Sequence, residues 1–452
     1  MVSVKSRIRN VLFWSIISAA FIGPGTVTTA TKAGAYFQFD LLWALAFSII
    51  ACILLQEASA RITIHSGMNL AKAIAKQFEN RPTKNFVLLL VMGAIVLGSA
   101  AYETGNILGS MAGLKLIFDI PQYIIVTAIG ILALLALSLK SVQTIAKMMG
   151  GIVFLMGIAF ITTAILLKPS LSLILNGIFI PTIPEGAGAG LLVLGIIGTT
   201  VVPYDLFLGS GVLDKSQEIS EMRFGLTVAI IIGGFISMAI MIVGTIIPGE
   251  FTYASLANAL TYKIGPFAVY VFGFGMFAAG FSSAITAPLV SAITAKSFFE
   301  GKNEKKWRTQ GQYYKMVYIG VLIVGLGFGF AKVEPIPAII IAQALNGLIL
   351  PFLSVFLIFV INDPVLMGKG RTNSWFSNIL LGIIVWITMI LGFMSVVKSV
   401  SSGIGYALSE GNDLILIIGS ISLLISIGLL YMVSMYKRKR GQLLFVKNYI
   451  ET

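Results

Sequence analysis

Two stretches of this 452-residue chain interrupt long apolar runs with residues that release backbone polar groups. The first reads Gly23-Pro24-Gly25-Thr26, and the second reads Val202-Pro203-Tyr204-Asp205, preceded by Gly198-Thr199-Thr200. A proline inside a helix removes one amide donor and clashes with the preceding turn, so groups that hydrocarbon cannot satisfy are left for protein or solute to answer. The chemistry these residue types offer is the binding of a small solute. Gly23, Thr26, Thr200, Val202, Tyr204 and Asp205 would supply carbonyl oxygens, hydroxyls and one carboxylate. The alternative for either proline alone is a kink in a packed helix. Asp205, two places beyond Pro203, either turns toward the solute or caps local amides.

Other polar groups lie in apolar surroundings, where they are expensive and therefore informative. Glu103 sits in a long apolar run with Asn106 one turn further on the same face. A carboxyl held away from water is the group a proton carrier needs, and a hydrogen-bonded structural Glu is the competing reading. Gln343 and Asn346 share one helical face, either lining a cavity or joining helices. Glu57 and Arg61 have the spacing of a helix-face ion pair. Lys32, just past the first break, either snorkels outward or places a cation near the solute. The single cysteine, Cys52, lies in an apolar run and reads as packing, and the single histidine, His65, follows a span at its charged end. No nucleophile with a base and no His/Cys/Asp/Glu cluster can be assembled, so neither an enzyme nor a bound cofactor is expected.

The elements that must position these groups are membrane helices. With 57% hydrophobic and 11% charged residues, the chain has no water-soluble fold that hides its apolar surface. The mean hydropathy is +0.97. Twelve candidate spans recur at roughly 11–36, 40–63, 86–117, 121–139, 142–167, 188–213, 223–247, 267–295, 314–331, 335–361, 375–397 and 413–436. The runs lack barrel-type alternation, so the expected class is an all-α membrane protein. With the amino terminus inside, all 31 Lys and Arg residues except Lys32, Lys115, Lys168, Lys263, Lys332 and Lys398 fall on the cytoplasmic side. Both termini are therefore expected in the cytoplasm of a multi-pass protein of the cell membrane, such as a bacterial inner membrane. No cleavable signal peptide is expected at the start.

The net charge of +13 reports this topology, because no polar domain gathers it into a nucleic-acid face. Short connections and the absence of a GxxxxGK[ST] motif argue against nucleotide binding and point to a secondary transporter. Its expected partners are membrane lipid and a small solute. The two breaks fall in the first and sixth spans, matching positions of two five-span halves. An inverted repeat over residues 1–180 and 181–361 follows, with residues 362–452 adding two helices and a tail.

Four segments resemble the Nramp family of metal-ion transporters. They are FIGPGTVTTATKAGA from Phe21 to Ala35, LLQEASARI from Leu54 to Ile62, GTTVVPYDLFLGS from Gly198 to Ser210, and QALNGLILPF with VINDPVLMG between Gln343 and Gly368. The resemblance implies a five-plus-five inverted-repeat fold with helices 1 and 6 broken, and transport of a cation with possible proton coupling through Glu103 and Asn106. Family members usually read Asp-Pro-Gly-Asn at the first break and Met-Pro-His at the sixth. Here Gly23 replaces the Asp, Thr26 the Asn, Val202 the Met and Tyr204 the His, so the family's carboxylate, amide and thioether ligands are gone. By the same resemblance Asp205 replaces a neutral Asn, and it could return the negative charge.

The leading expectation is therefore a transporter of a divalent metal cation without ordinary transition-metal selectivity, with Asp205 and Thr26 as candidate metal ligands. A second expectation is a small organic solute carried on the same scaffold. The remote one is a membrane sensor that does not transport.

Overall fold

A computed structural model of the chain describes residues 7, 11, 14, 21–138, 142–184, 188–213, 217–368, 370–403 and 412–451. The inner half of the first expected span lies mostly outside these residues. What is described of it ends in a helical Phe21 and a bend at Ile22 and Gly23, after which α1 (Pro24–Phe37) begins at its proline. Proline suits that first helical position, where its missing N–H would be unpaired anyway.

The remaining eleven expected spans follow in chain order, ten as single helices and one as a split pair, with short helices between them. First come α2 (Leu42–Ser66), the short α3 (Leu70–Gln77), α4 (Lys84–Lys115), α5 (Gln122–Ser138) and α6 (Val142–Leu166). The short α7 (Leu171–Phe179) leads to the sixth span, which is split into α8 (Ala189–Thr200) and α9 (Asp205–Val212). There follow α10 (Ile219–Gly244), a short capped helix α11 (Tyr253–Ile264), α12 (Ala268–Phe299), the single turn α13 (Glu304–Trp307) and α14 (Gln312–Phe330). The chain ends with α15 (Pro335–Ile361), the turn α16 (Pro364–Met367), α17 (Trp375–Gly403) and α18 (Asn412–Glu451). Among the described residues, ten segments are long and apolar enough to cross a bilayer, and α5 is an additional shorter apolar helix.

Proline alone does not interrupt a span. Pro288 in α12 and Pro351 in α15 lie inside continuous helices. At the first break Thr28 donates to the Pro24 carbonyl at 2.6 Å and Thr29 to the Gly25 carbonyl at 2.9 Å, so each hydroxyl folds back onto its own helix.

Glycines let backbones touch. A Cβ on Gly34 would sit 2.0 Å from the Met241 carbonyl, and one on Gly244 would sit 2.4 Å from that of Thr31, so α1 and α10 pack main chain on main chain. Gly113 and Gly273 do the same for α4 and α12, each with its added Cβ within 2.7 Å of the other's carbonyl. This is the small-residue packing that joins helices where no hydrophobic effect drives them together. Large apolar side chains such as Phe86, Ile165 and Leu424 are exposed instead, as a lipid-facing surface requires.

The last helix runs past the expected span end at 436, because its charged turns are held rather than released to water. Arg440 Nη2 lies 2.9 Å from Asp363 Oδ2, Tyr436 donates to the same oxygen at 2.7 Å, and Lys437 donates to the Asn373 carbonyl at 2.8 Å. Hydropathy ends at these residues, whereas the helix does not, since Lys and Arg are good helix formers.

Candidate functional site

The two interrupted spans meet. The Thr26 and Thr199 hydroxyls are 3.0 Å apart, joining the first turn of α1 to the last turn of α8. Thr26 Oγ1 also donates to the Phe21 carbonyl on the far side of its own break. One hydroxyl hydrogen serves one acceptor, so Thr199 is the donor in the pair.

Gln343 of α15 enters the same point. A Cβ on Gly25 would lie 2.5 Å from its Nε2 and 2.7 Å from Thr199 Oγ1, and a Cβ on Gly105 of α4 would lie 3.2 Å from that Nε2. Its side chain therefore occupies room that these two glycines leave open. The residue is fully buried, yet neither Oε1 nor Nε2 has a hydrogen-bond partner. Buried amides are ordinarily satisfied, and two orphaned atoms on one side chain mark a place for something else to bind. Asn346, one turn on, points elsewhere along α4: its Nδ2 donates to the Ala342 carbonyl at 3.2 Å and its unpartnered Oδ1 faces Gly98.

Beside the second break, Tyr204 is buried with its hydroxyl unpartnered, and its ring meets that of Tyr102 edge-on with centroids 5.3 Å apart. Tyr102 in turn is hydrogen-bonded to Thr199. Asp205 opens α9, is 1% exposed, and leaves Oδ1 without a partner. It lies within electrostatic reach of Tyr102, Tyr204 and Cys52. Its place in the first turn also suits the positive end of α9. The arrangement is a neutral group of Thr26, Thr199 and Gln343 linked through Tyr102 to a carboxylate-bearing group of Tyr204 and Asp205.

Several expected participants are placed differently. The Gly23 carbonyl already accepts the Val27 amide at 3.1 Å, and that of Val202 accepts the Asp205 amide at 3.1 Å. The Thr200 hydroxyl turns back to the Ile196 carbonyl at 2.9 Å, so Thr199 is the threonine at the crossing. Val202 is buried and brings only its apolar side chain. Glu103 packs against α14, where a Cβ on Gly325 would touch its Cγ at 2.6 Å. Asn106 Nδ2 reaches its Oε2 at 3.4 Å, and Oε1 has no partner.

Outside the crossing, Lys32 lies over the Tyr36 ring at 5.5 Å. Glu57 and Arg61 form the expected pair at 3.0 Å, and Arg223 of α10 joins them at 2.8 Å. Cys52 is a buried free thiol. Tyr102 and Gly105 escaped the sequence reading, and Gly25 figures there only as part of the break. The signal for Tyr102 and Gly105 was their position beside Glu103, since a glycine that makes room for a side chain on another helix looks like any other membrane glycine.

The chain is similar to the divalent metal cation transporter MntH of Bacillus subtilis, with 25% identity over 393 residues covering 83% of this chain and 88% of that protein. It is 24% identical to the Klebsiella pneumoniae protein of the same name, covering 84% of this chain and 92% of the relative. Among solved structures, a manganese transporter of Eremococcus coleocola superposes with a TM-score of 0.67 at 20% identity over 97% of each chain. Mhp1, a nucleobase-cation-symport-1 family transporter, gives 0.53 at 19% identity over 94% of this chain and 92% of its own. These superpositions place the helices in the five-plus-five inverted-repeat transporter fold, with the breaks in its first and sixth spans. The family model for natural resistance-associated macrophage protein-like chains matches residues 15–398, and the chain belongs to that family, Nramp.

Proposed function

We propose that this protein carries a divalent metal cation across a cell membrane, with the cation passing the crossing of α1, α8, α9 and α15. The observation that carries the reading is Asp205, a carboxylate buried at the second break with Oδ1 unpartnered. Ionising a carboxyl buried without a partner costs several kcal/mol, and a cation arriving beside it removes that cost. Thr26, Thr199 and Gln343 add neutral oxygens, making a hard, oxygen-rich set. Among the described residues no three His, Cys, Asp or Glu side chains are grouped to hold a metal, so the set binds cargo weakly and releases it. The relatives named above are divalent metal cation transporters, which favours the same class of cargo.

Selectivity differs from that of a site with a thioether. Val202 offers no soft ligand, and oxygen donors discriminate little between manganese and magnesium. Glu103 and Asn106, away from the crossing, form a separate polar pair suited to moving a proton alongside the cation. The termini lie in the cytoplasm, and no catalysis is involved.

Uptake of manganese into proteoliposomes, with magnesium as competitor, tests the reading. Saturable manganese uptake that magnesium inhibits at comparable concentration supports it, and no uptake of either ion rejects it. Gln343 favours a second reading, because an amide with both ends unpartnered suits a neutral organic solute having one donor and one acceptor. Calorimetry with a panel of small amides and heterocycles separates the two: heat from such solutes and none from metal selects the second.

A further inference from the structure

A second charged site lies at the Lys- and Arg-rich end of the bundle, where the carboxyl end of α2 meets the amino ends of α10 and α17. A cavity of about 440 Å³ opens there, lined by Glu57, Arg61, Arg223, Ser374 and Ser377 at one end and by Ile53 and Leu54 deeper in the span. Two guanidinium groups face one carboxylate, so the mouth carries surplus positive charge. The Glu57 Oε1 atom accepts from Arg61 Nε at 3.0 Å and from Arg223 Nε and Nη2 at 2.9 and 2.8 Å. Arg61 Nη2 is taken by Asn373. The Nη1 groups remain as donors for a ligand, and the Arg223 side chain is 56% accessible. Arg371 stands nearby, within electrostatic reach of His65 at the end of α2.

The depth of the cavity identifies its ligand. Trp375 and Phe376, 80% and 65% exposed, open α17 beside the two serines and mark the headgroup level of a bilayer. From that level the cavity descends about two helical turns to Leu54 and Ile53, into the hydrocarbon depth. A charged mouth over an apolar throat at this height matches a phospholipid rather than a soluble anion, which has no use for the throat. The surplus charge selects against a headgroup that brings its own ammonium.

We infer that this cavity binds an anionic phospholipid, its phosphate held by Arg223 and Arg61, its glycerol region at Ser374 and Ser377, and one acyl chain along Ile53 and Leu54. The bound lipid braces α2 and α10 against α17.

The test titrates purified full-length protein in detergent with phosphatidylglycerol or phosphatidylcholine of identical chains, reading lipid adducts by native mass spectrometry and unfolding temperature in parallel. Phosphatidylglycerol is expected to bind about fivefold more tightly, as one surplus charge implies, and to raise the unfolding temperature more. Arg223→Gln should abolish the preference. Because that change also loosens Glu57, a second variant is Thr227→Trp: Thr227 lines the cavity one turn along α10 from Arg223, so the indole fills the throat without touching the ion pairs, and this variant too should lose the preference while retaining the unliganded unfolding temperature. Equal binding of the two lipids overturns the inference, as does a preference that survives both variants. If glycerol 1-phosphate alone reproduces the phosphatidylglycerol shift, the ligand is a soluble anion and the lipid assignment is wrong.

Discussion

Thr199 donates to Thr26 across 3.0 Å, so the last turn of α8 is fastened to the first turn of α1 at the place where both spans lose regular backbone. Thr26→Val removes this bond and the one to Phe21 at nearly constant volume, and should cost about 1 kcal/mol of stability. Metal affinity should fall with it, whereas Thr26→Ser should retain both properties. Calorimetry and thermal unfolding of the pair check this, and equal affinity in Val and Ser variants would take the hydroxyl out of the binding set.

Asp205→Asn keeps shape and removes charge. Cation affinity is expected to weaken about tenfold or more, the equivalent of at least roughly 1.4 kcal/mol. The fold should be unharmed or slightly steadier, since a buried carboxyl that is costly to ionise gives way to a neutral amide. Isothermal titration with manganese decides the matter, and an unchanged dissociation constant removes Asp205 from the cation's path.

Gly25→Ala places a methyl 2.5 Å from Gln343 Nε2 and displaces that side chain from the crossing. Transport should be lost for a stability cost of about 1–3 kcal/mol. Gly93→Ala is the control, because nothing lies within 4 Å of its added Cβ, and it should leave uptake intact. If both variants transport equally, Gln343 has no part in binding.

Glu103→Gln separates proton from metal. Glu103 packs against Gly325 rather than at the crossing, so manganese binding should persist while acidification of the liposome lumen, followed with a trapped pH dye, disappears. Acidification at the original rate would assign the proton another route.

Arg440→Ala strands the buried Asp363 carboxylate, leaving it Tyr436 and the Val365 amide as donors. The loss should be about 3 kcal/mol, seen as an early thermal transition. Adding Asp363→Asn to that variant should recover part of it, and a double variant as unstable as the single one would mean that the charge is not the cause.

Much of this molecule is legible in one dimension because lipid imposes a single rule, that apolar runs of sufficient length become helices. The expected span at 335–361 coincides with α15, and 375–397 lies within α17. The paired breaks were legible for the same reason, since Gly23-Pro24-Gly25 stands out in such a run whereas Pro351, among Leu350 and Phe352, does not interrupt its helix. What stayed hidden depends on rotation about a helix axis. Thr199 and Thr200 are chemically equivalent in sequence, and only the fold shows that one faces α1 while the other bonds within its own turn. Glu103 and Gln343 both read as interior polar groups, yet they belong to different neighbourhoods separated by the way α4 presents Gly105 to one helix and Glu103 to another.

The main-chain contact of Gly34 and Gly244 with Thr31 and Met241, together with that between Gly113 and Gly273, has a mechanical consequence. Neither pair of helices has slack for sliding, since any shear would drive carbonyl oxygens into Cα atoms. The proposed transport cycle then moves each couple, α1 with α10 and α4 with α12, as one body relative to the other. A chemical tether within either couple would leave turnover untouched, and one bridging the two couples would arrest it.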